Sequence, residues 1–457
     1  MLTHILFCEL WGNWDSDKLH RMKRVFIETY GCQMNVYDTE LIKSILGAAH
    51  YDVVTSEHQA DVVMLNTCSV RENANRKVHL RIQELRRNRP QHSIAIGVLG
   101  CMATNFKTAL LEDPQLGIDF IAGPDSYKQL PQLIENAWQG GSDRFDVTLS
   151  EFETYSDIEP TRDSAVNAWV AIMRGCNNFC TFCVVPYTRG RERSRTIESV
   201  SDEVKRLVDQ GFKQVTLLGQ NVNSYRSDAH DFTDLMDAVS QIDGLERVRF
   251  TSPHPKDFPN RLLSLMAERE TICKQIHLPL QAGNSRVLSK MNRTYTKEEF
   301  LSLVERIRSL IPKVALSTDI IVGFPTETHD EFLDTLDVVQ QVQFDSAYIF
   351  KYSERPNTVA ARRFPDDVSE ADKTARIVQL NECQRNISLS KNKACIGSNE
   401  RVLIEALSTK KSELDCQGRT DSNRIVILPL QADVTLGQMR QVRIVDATPN
   451  VLKGEWV

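Results

Sequence analysis

The sequence has no apolar run approaching the ~20 residues that cross a bilayer, so it does not predict a membrane protein. It also lacks the basic leader and apolar stretch of a secretory signal. The 55 basic and 61 acidic residues nearly balance, so no overall positive charge indicates a nucleic-acid-binding protein. The 41% hydrophobic and 25% charged residues are ordinary values for a soluble globular protein. Because a secretory signal is lacking, we expect the protein to be cytoplasmic. We further expect a monomer.

The eleven cysteines are too scattered for the disulfide framework of a small secreted protein. Three of them, Cys176, Cys180 and Cys183, have a C-x3-C-x2-C spacing. Three thiolates this close can bind three irons of a four-iron cluster and leave the fourth iron open. A zinc site would need a fourth ligand that no nearby His or Cys supplies, and a thioredoxin-like pair would leave Cys176 unused. We therefore predict a catalytic iron–sulfur cluster here.

Residues 22–141 alternate apolar strand patterns with helical ones, which predicts a parallel sheet covered on both faces. The predicted strands are Arg24–Tyr30, Asp61–Thr67, Ser93–Leu99 and Ile118–Ala122. Cys32, Cys68 and Cys101 follow the first three strands. Each cysteine alone would be interpreted as a small buried residue. Because ligands of open α/β sheets bind at the carboxyl ends of strands, the three together predict a second metal cluster.

Residues 142–163 are acidic and irregular, and we interpret them as a linker. Residues 164–392 then contain six strand patterns separated by helical ones, which predicts a partial (β/α)6 barrel. The strand patterns are Trp169–Met173, Gln214–Leu218, Arg247–Thr251, Gln275–Leu280, Val314–Val322 and Ala347–Tyr352. Polar residues after these strands should supply ligand-binding groups at the barrel mouth. The candidates are Gln220, Asn221, Ser252, His254, Gln281 and Asp319.

The chain ends differ from this α/β pattern. Residues 395–457 contain three short strand patterns split by turns, Arg401–Leu407, Arg424–Leu430 and Gln441–Asp446. They predict a small antiparallel β-barrel of the size of RNA-binding OB folds. Residues 1–21 form an extension, and we expect that the native start is Met22, directly before the first strand pattern. The predicted fold class is thus α/β, with a parallel-sheet domain, a partial barrel and a small β-barrel.

Two groups of basic residues are candidates for RNA contacts. Arg189, Arg191, Arg193 and Arg195 lie beside the predicted catalytic cluster with Glu192 as the one acidic residue among them, which favours an anionic substrate. Arg419 and Arg424 are the corresponding candidates in the C-terminal barrel. The seven basic residues between Arg71 and Arg89 fit a solvated helix face equally well.

Several motifs resemble the methylthiotransferase family of radical S-adenosylmethionine (SAM) enzymes, and the resemblance extends from Met22 to Val457. The C-terminal part is similar to the TRAM domain of that family, and the motifs are most similar to its tRNA-modifying, isopentenyladenosine branch. They are Tyr-Gly-Cys-Gln-Met-Asn at 30–35, Asn-Thr-Cys-Ser-Val-Arg-Glu-Asn at 66–73, Gly-Cys-Met-Ala at 100–103, the stretch from Gly175 to Arg195, and Gly-Arg-Thr-Asp-Ser-Asn-Arg at 418–424.

The resemblance implies two [4Fe-4S] clusters and SAM. The cluster held by Cys176, Cys180 and Cys183 would cleave SAM, and the six polar candidates at the barrel mouth would contact it. The auxiliary cluster held by Cys32, Cys68 and Cys101 would supply methylthio to C2 of N6-isopentenyladenosine at tRNA position 37. An electron donor of flavodoxin or ferredoxin type and a sulfur source are further expected partners.

Three alternatives stay open at this point. A methylthiotransferase could instead act on threonylcarbamoyl-adenosine in tRNA or on an aspartate of a ribosomal protein, because both share the two cysteine sets. A different class of protein, a non-catalytic iron–sulfur RNA-binding protein, would not consume SAM. Sites with three thiols argue against that class, since structural clusters are usually fully ligated by protein.

Overall fold

A computed structural model describes residues 23–69, 72–88, 94–162 and 166–457. The predicted extension at 1–21 and the predicted start at Met22 lie outside the described residues. No helix in the described part of the chain is both long and apolar enough to cross a bilayer.

The first domain is a six-stranded, wholly parallel sheet with the strand order β2-β1-β3-β4-β5-β6. Its strands are β1 (Arg24–Thr29), β2 (Asp52–Val53), β3 (Val62–Thr67), β4 (Ala95–Gly100), β5 (Phe120–Ala122) and β6 (Phe145–Asp146). Its helices are α1 (Gln33–Ala48), α2 (Glu72–Asn88), α3 (Cys101–Phe106), α4 (Ala109–Glu112) and α5 (Leu130–Trp138). Separate apolar clusters cover its two faces, as continuous apolar strands require.

Register places the ends of three central strands at one edge of this sheet. Thr29 of β1 pairs with Asn66 of β3, and Thr67 of β3 pairs with Gly100 of β4. The cysteines that follow these strands therefore leave the sheet at the same edge, as the sequence predicted. The four predicted strands are present, and two short edge strands, β2 and β6, were missed because two residues show no periodicity.

The predicted linker at 142–163 is not a free connection. Its residues Phe145–Asp146 form β6, parallel to β5. Further along, Tyr155 is fully buried; its hydroxyl donates to the Pro124 carbonyl at 3.1 Å and accepts from the Tyr127 amide at 3.0 Å. Much of this segment thus packs on the first domain, which corrects the linker interpretation.

The second domain contains the six predicted strands as two parallel three-stranded sheets, β7-β10-β13 and β14-β15-β16. A parallel bridge between Val248 and Ile272 joins their edges, which gives a partial barrel. The strands are β7 (Asn167–Ala171), β8 (Met173–Arg174), β9 (Arg193–Ser194), β10 (Gln214–Leu218), β11 (Arg226–Ser227), β12 (His230–Asp231), β13 (Arg247–Phe250), β14 (Gln275–His277), β15 (Ala315–Val322) and β16 (Ser346–Lys351).

Helices between and after these strands cover the barrel. They are α6 (Val185–Thr188), α7 (Ile197–Asp209), α8 (Phe232–Ser240), α9 (Asn260–Glu268), α10 (Ser285–Lys290), α11 (Lys297–Leu310), α12 (His329–Val342), α13 (Val359–Arg363) and α14 (Glu370–Lys393). Two of these helices start with a capping box that is visible in the sequence. The hydroxyl of Thr296 accepts from the backbone amide of Glu299, and the Glu299 carboxylate accepts from the backbone amide of Thr296, at the start of α11. Thr328 and Glu331 form the same pair of bonds at the start of α12.

The third domain is a closed five-stranded barrel with the strand order β17-β18-β19-β21-β20. Its strands are β17 (Asn399–Ala406), β18 (Asp415–Arg419), β19 (Ile425–Pro429), β20 (Met439–Ala447) and β21 (Leu452–Trp456). Four pairings are antiparallel as predicted, but β19 and β21 pair in parallel, which corrects the prediction of a wholly antiparallel barrel. The guanidinium of Arg249 donates to the carbonyls of Thr420 and Asp421 at 2.8 and 2.9 Å, docking this barrel on β13.

Candidate metal centres at the domain interface

The first cysteine set lies where β1, β3 and β4 end. Cys32 precedes α1, Cys68 follows β3, and Cys101 is the first residue of α3. Gly31 has φ +132°, and a Cβ there would lie 2.5 Å from the Cβ of Cys68, so only glycine lets the first two cysteines approach. A hydrogen bond from the Cys68 thiol lowers the pKa of Cys32, and the charge of Arg189 lowers it further, although burial opposes both effects.

The second set lies between β8 and β9, in residues 175–184, which are called the catalytic loop below because the sequence predicts the catalytic cluster there. Gly175 has φ +80° and no room for a Cβ against the Arg191 carbonyl oxygen, while the Cys176 amide donates to the Gly190 carbonyl at 3.1 Å. The Val185 amide donates to Cys183 Sγ at 3.4 Å. Burial, together with the charges of the neighbouring thiols, raises the pKa of Cys176 to about 12 and of Cys183 to about 11. A metal cation bound by these thiols would offset the cost of ionising them.

The residues around this set fit the ligands of an iron–sulfur cluster. In a four-iron cluster each thiolate binds a different iron, so three thiolates leave one iron without a protein ligand. Cys176 and Cys180 are buried, and amide and guanidinium groups donate to thiols of this set, as expected for anionic ligands.

A buried charge network joins the two cysteine-bearing domains. Arg174 Nη2 donates to Asp38 Oδ1 at 2.7 Å, and Arg189 Nη2 donates to Asp38 Oδ2 at 2.8 Å. Arg189 Nε also donates to Cys101 Sγ at 3.2 Å. All three charged side chains are buried. Burial raises the pKa of the Asp38 carboxyl, but the two guanidinium charges outweigh it, so the net shift is downward.

The predicted RNA-contact role does not fit three of the arginines beside the catalytic loop. Arg189, Arg193 and Arg195 are buried, and their guanidiniums pair with Asp38, Asp125 and Glu203. A guanidinium committed to a buried carboxylate is not available to a phosphate, so this prediction is wrong for them.

The other three arginine candidates differ from these. Arg191 is exposed, with its guanidinium 4.5 Å from the centre of the Phe179 ring, and it stays a candidate. Arg419 pairs with Glu405 at 3.0 Å and Arg424 with Asp345 at 2.5 Å, but both remain partly exposed. Their predicted role as RNA contacts stays a prediction.

The six candidate SAM residues all lie on loops or strands of the barrel, as predicted. Gln220 and Asn221 follow β10, and each has a buried side-chain oxygen without a hydrogen-bond partner among the described residues. Ser252 and Gln281 have φ values of +59° and +69°, a conformation that costs non-glycine residues energy and concentrates at functional sites. Both features favour a ligand at these positions.

The remaining two candidates have structural partners. His254 is buried; its Nδ1 accepts from the Lys256 amide at 3.1 Å. Burial, then the charges of Arg293 and Lys256, lowers the pKa of His254 to about 3, so this imidazole is neutral at physiological pH. Asp319 lies 3.2 Å from His277 Nε2 and lines the barrel cleft.

An open cleft of about 840 Å³ lies at the carboxyl ends of β14–β16, next to the catalytic loop. Phe182, between two of the loop's cysteines, forms part of its wall. Its volume is in the range of small-molecule sites. The lining residues are Phe182, Gln281, Asp319, Ile321, Ile349, Phe350, Lys351, Tyr352, Ser353, Glu354, Arg355, Asp366, Glu370 and Ile377.

Sequence reasoning missed the positioning groups around both sets. Asp38 and Arg174 are 136 residues apart, and Arg293 donates to Cys180 Sγ at 3.4 Å across 113 residues. Local spacing gives no signal for such pairs. One hint was available: Asp38 lies on α1 among apolar residues, where an unpaired carboxylate would be costly.

Replacing Asp38 with alanine is expected to destabilise the protein by about 3–5 kcal/mol, because it leaves two buried guanidiniums unpaired. The measurement is the shift of the thermal unfolding midpoint. Asp157→Ala, which removes an exposed partner of Lys128, is the matched control and should cost about 0–1 kcal/mol. Equal shifts for the two variants would contradict the structural importance of the Asp38 network.

Comparison with known proteins agrees with this arrangement. Residues 170–339 match the radical SAM superfamily, residues 24–123 match the uncharacterized protein family UPF0004, and residues 393–457 match the TRAM domain. Among solved structures, the radical SAM methyltransferase TsrM from Kitasatospora setae has a TM-score of 0.56 at 17% identity, covering 74% of this chain and 75% of TsrM. At that identity the likeness shows the shared fold alone.

Curated relatives are much more similar in sequence. The tRNA-2-methylthio-N(6)-dimethylallyladenosine synthase of Prosthecochloris aestuarii is 49% identical over 416 residues, which cover 90% of this chain and 93% of that protein. The enzyme of the same name from Chloroherpeton thalassium is 45% identical, with 96% of this chain and 97% of that protein covered. These matches confirm the resemblance drawn from the motifs. The chain belongs to the tRNA-2-methylthio-N(6)-dimethylallyladenosine synthase family of radical SAM enzymes.

Proposed function

We propose that this protein replaces the C2 hydrogen of N6-isopentenyladenosine at position 37 of tRNA with a methylthio group. The observation that carries the proposal is the placement of the two cysteine sets. They lie in different domains, yet Arg189, six residues beyond Cys183, contacts Cys101 of the other set at 3.2 Å. Two metal centres that must act on one base need such a shared interface.

The residues of each set have distinct roles in this proposal. Cys176, Cys180 and Cys183 would hold a [4Fe-4S] cluster whose fourth iron is left to the amino and carboxylate groups of SAM. Cys32, Cys68 and Cys101 would hold an auxiliary [4Fe-4S] cluster. When bound, these groups would supply the sulfur and reductive SAM cleavage, which acid–base side chains cannot provide at an unactivated aromatic C–H bond. SAM would be used twice: one molecule gives its methyl group to the sulfur, and a second, cleaved with one electron, takes up the C2 hydrogen as 5′-deoxyadenosine.

The barrel residues would position SAM and the base. The unpartnered oxygens of Gln220 and Asn221 are acceptors for N–H or O–H groups of a ligand. The cleft beside Phe182 can take an adenine that has left its stack, since aromatic side chains receive splayed bases in single-stranded RNA recognition. The C-terminal barrel, which matches the TRAM domain, would bind the tRNA together with Arg191.

The electron and the sulfur come from outside the chain in this proposal. We expect a flavodoxin or ferredoxin type of donor, because low-potential single electrons are needed to reduce a four-iron cluster. Sulfur consumed from the auxiliary cluster must be replaced by a separate source. The relatives' names favour the isopentenyl nucleoside over the threonylcarbamoyl nucleoside and the ribosomal aspartate.

Anaerobically reconstituted protein with SAM, reductant and isopentenyl-modified tRNA is expected to add a methylthio mass to that nucleoside. Nucleoside digestion followed by mass spectrometry measures it. The same tRNA without the isopentenyl group and a tRNA carrying threonylcarbamoyl-adenosine are the controls, and both should stay unmodified. A mass gain on the threonylcarbamoyl nucleoside would contradict the assigned substrate, and SAM consumption without any tRNA product would contradict the assigned reaction.

A further inference from the structure

Arg189 is not a cluster ligand in the proposed function, yet its guanidinium contacts a thiol of the auxiliary set. Its Nε donates to Cys101 Sγ, and its Nη2 donates to Asp38 Oδ2 at 2.8 Å and to Asn35 Oδ1 at 3.3 Å. Its Nη1 is buried without a hydrogen-bond partner among the described residues. The contacts of Nε and Nη2 therefore fix the guanidinium against Cys101.

The other cysteine set has an arginine contact of its own. Arg293 Nη1 donates to Cys180 Sγ at 3.4 Å, and the remaining donors of this buried guanidinium bond Tyr295 Oη and the Pro279 carbonyl. In each three-thiol set, a buried guanidinium thus donates to a sulfur: Arg189 to Cys101 in the first set and Arg293 to Cys180 in the second. The two arginines differ in origin, since Arg293 belongs to the same domain as its thiol whereas Arg189 reaches into the neighbouring domain.

We propose that Arg189 is a positioning residue that sets the reduction potential of the auxiliary cluster from across the domain interface, with Arg293 acting in the same way on the SAM-cleaving cluster. The proposal rests on the proposed function for the existence of both clusters. It goes beyond that function because it assigns separate electronic roles to two residues that are not cluster ligands.

The physical reason is electrostatic. Reduction adds one electron, and so one negative charge, to a cluster held by thiolates, and the electron comes from an external reductant. A guanidinium that donates to a thiolate stabilises the more negative, reduced state and raises the potential. In a buried site the effect is strong, because little water is present to screen the charge. Asp38 fixes the Arg189 guanidinium, so it controls how the donor points at Cys101.

The test uses full-length protein reconstituted with both clusters and titrated with dithionite and redox mediators, without tRNA. Electron paramagnetic resonance follows the two reduced clusters, and added SAM identifies the SAM-binding cluster by changing its spectrum. The variants are Arg189→Met, Arg189→Lys and Arg293→Met. Arg189→Met leaves the buried Arg174–Asp38 pair in place, and the iron content and thermal unfolding midpoint of each variant show that it folds and holds both clusters.

Each arginine should affect the potential of its own cluster. Arg189→Met should shift the auxiliary cluster to a more negative potential and leave the SAM-binding cluster unchanged. Arg189→Lys should restore part of the shift, because it keeps the charge. Arg293→Met should shift the SAM-binding cluster alone to a more negative potential. An unchanged auxiliary potential in the Arg189 variants with both clusters full would overturn this role and leave the proposed function standing. Wild-type protein that binds only half the expected iron would overturn both.

Discussion

Replacing Cys180 with alanine is expected to reduce SAM cleavage to the background without enzyme. The side chain is buried within the catalytic loop and accepts a hydrogen bond from Arg293, which holds its sulfur in place. With two thiolates the cluster loses one iron ligand, and the chemistry that it supplies cannot be replaced by side chains. The measurement is formation of 5′-deoxyadenosine from SAM with excess reductant.

The matched control is Cys273→Ala, because Cys273 is equally buried in the same domain but belongs to neither set. Burial raises the pKa of Cys273 to about 12, so its thiol is protonated at physiological pH. The control should keep its iron and its SAM cleavage. Continued formation of 5′-deoxyadenosine by Cys180→Ala would show that the catalytic cluster is held elsewhere.

The sequence predicted the elements that depend on local periodicity. Every predicted strand of the first two domains is present, because buried parallel strands are continuous apolar runs. Several helices of the second domain, among them α7, α11, α12 and α14, start at a Ser or Thr cap. In the third domain, β18 and β21 were missed. Both are five residues long and contain glycine, Gly418 and Gly454, where close packing replaces side-chain pattern as the signal.

Long-range charge pairing explains the wrong prediction for the basic loop. In the sequence, Arg189, Arg193 and Arg195 have one acidic neighbour, which suggested a surface for phosphate. In the fold, Asp38 and Asp125 of the first domain take two of these charges into a buried interface. A charge run therefore cannot be assigned to a nucleic acid until the carboxylates that the fold brings to it are known.

The same network explains why two domains can share one reaction. Arg162 pairs with Glu40 of the first domain at 2.7 Å and with Glu203 of the second, and both carboxylates are buried. Removing either partner of such a pair leaves a buried charge, so the interface tolerates little rearrangement. A fixed interface keeps the two cysteine sets in one relative position, which the transfer of sulfur to a single carbon requires.

Replacing Cys68 with alanine is expected to separate the two halves of the reaction. Cys68 belongs to the first domain and donates to Cys32, whose pKa it lowers, whereas the catalytic loop lies in the second domain. The variant should therefore lose about half of its iron, keep SAM cleavage within a few-fold of the wild type, and make no methylthio product. The measurements are iron content, 5′-deoxyadenosine and modified nucleoside in one reaction mixture.

The matched control for this variant is Cys416→Ala, which removes a buried thiol of the C-terminal barrel that belongs to neither set. It should retain both activities. Product formation by Cys68→Ala would show that sulfur reaches the nucleoside without the auxiliary site. Loss of SAM cleavage along with the product would show that the two sets are not independent.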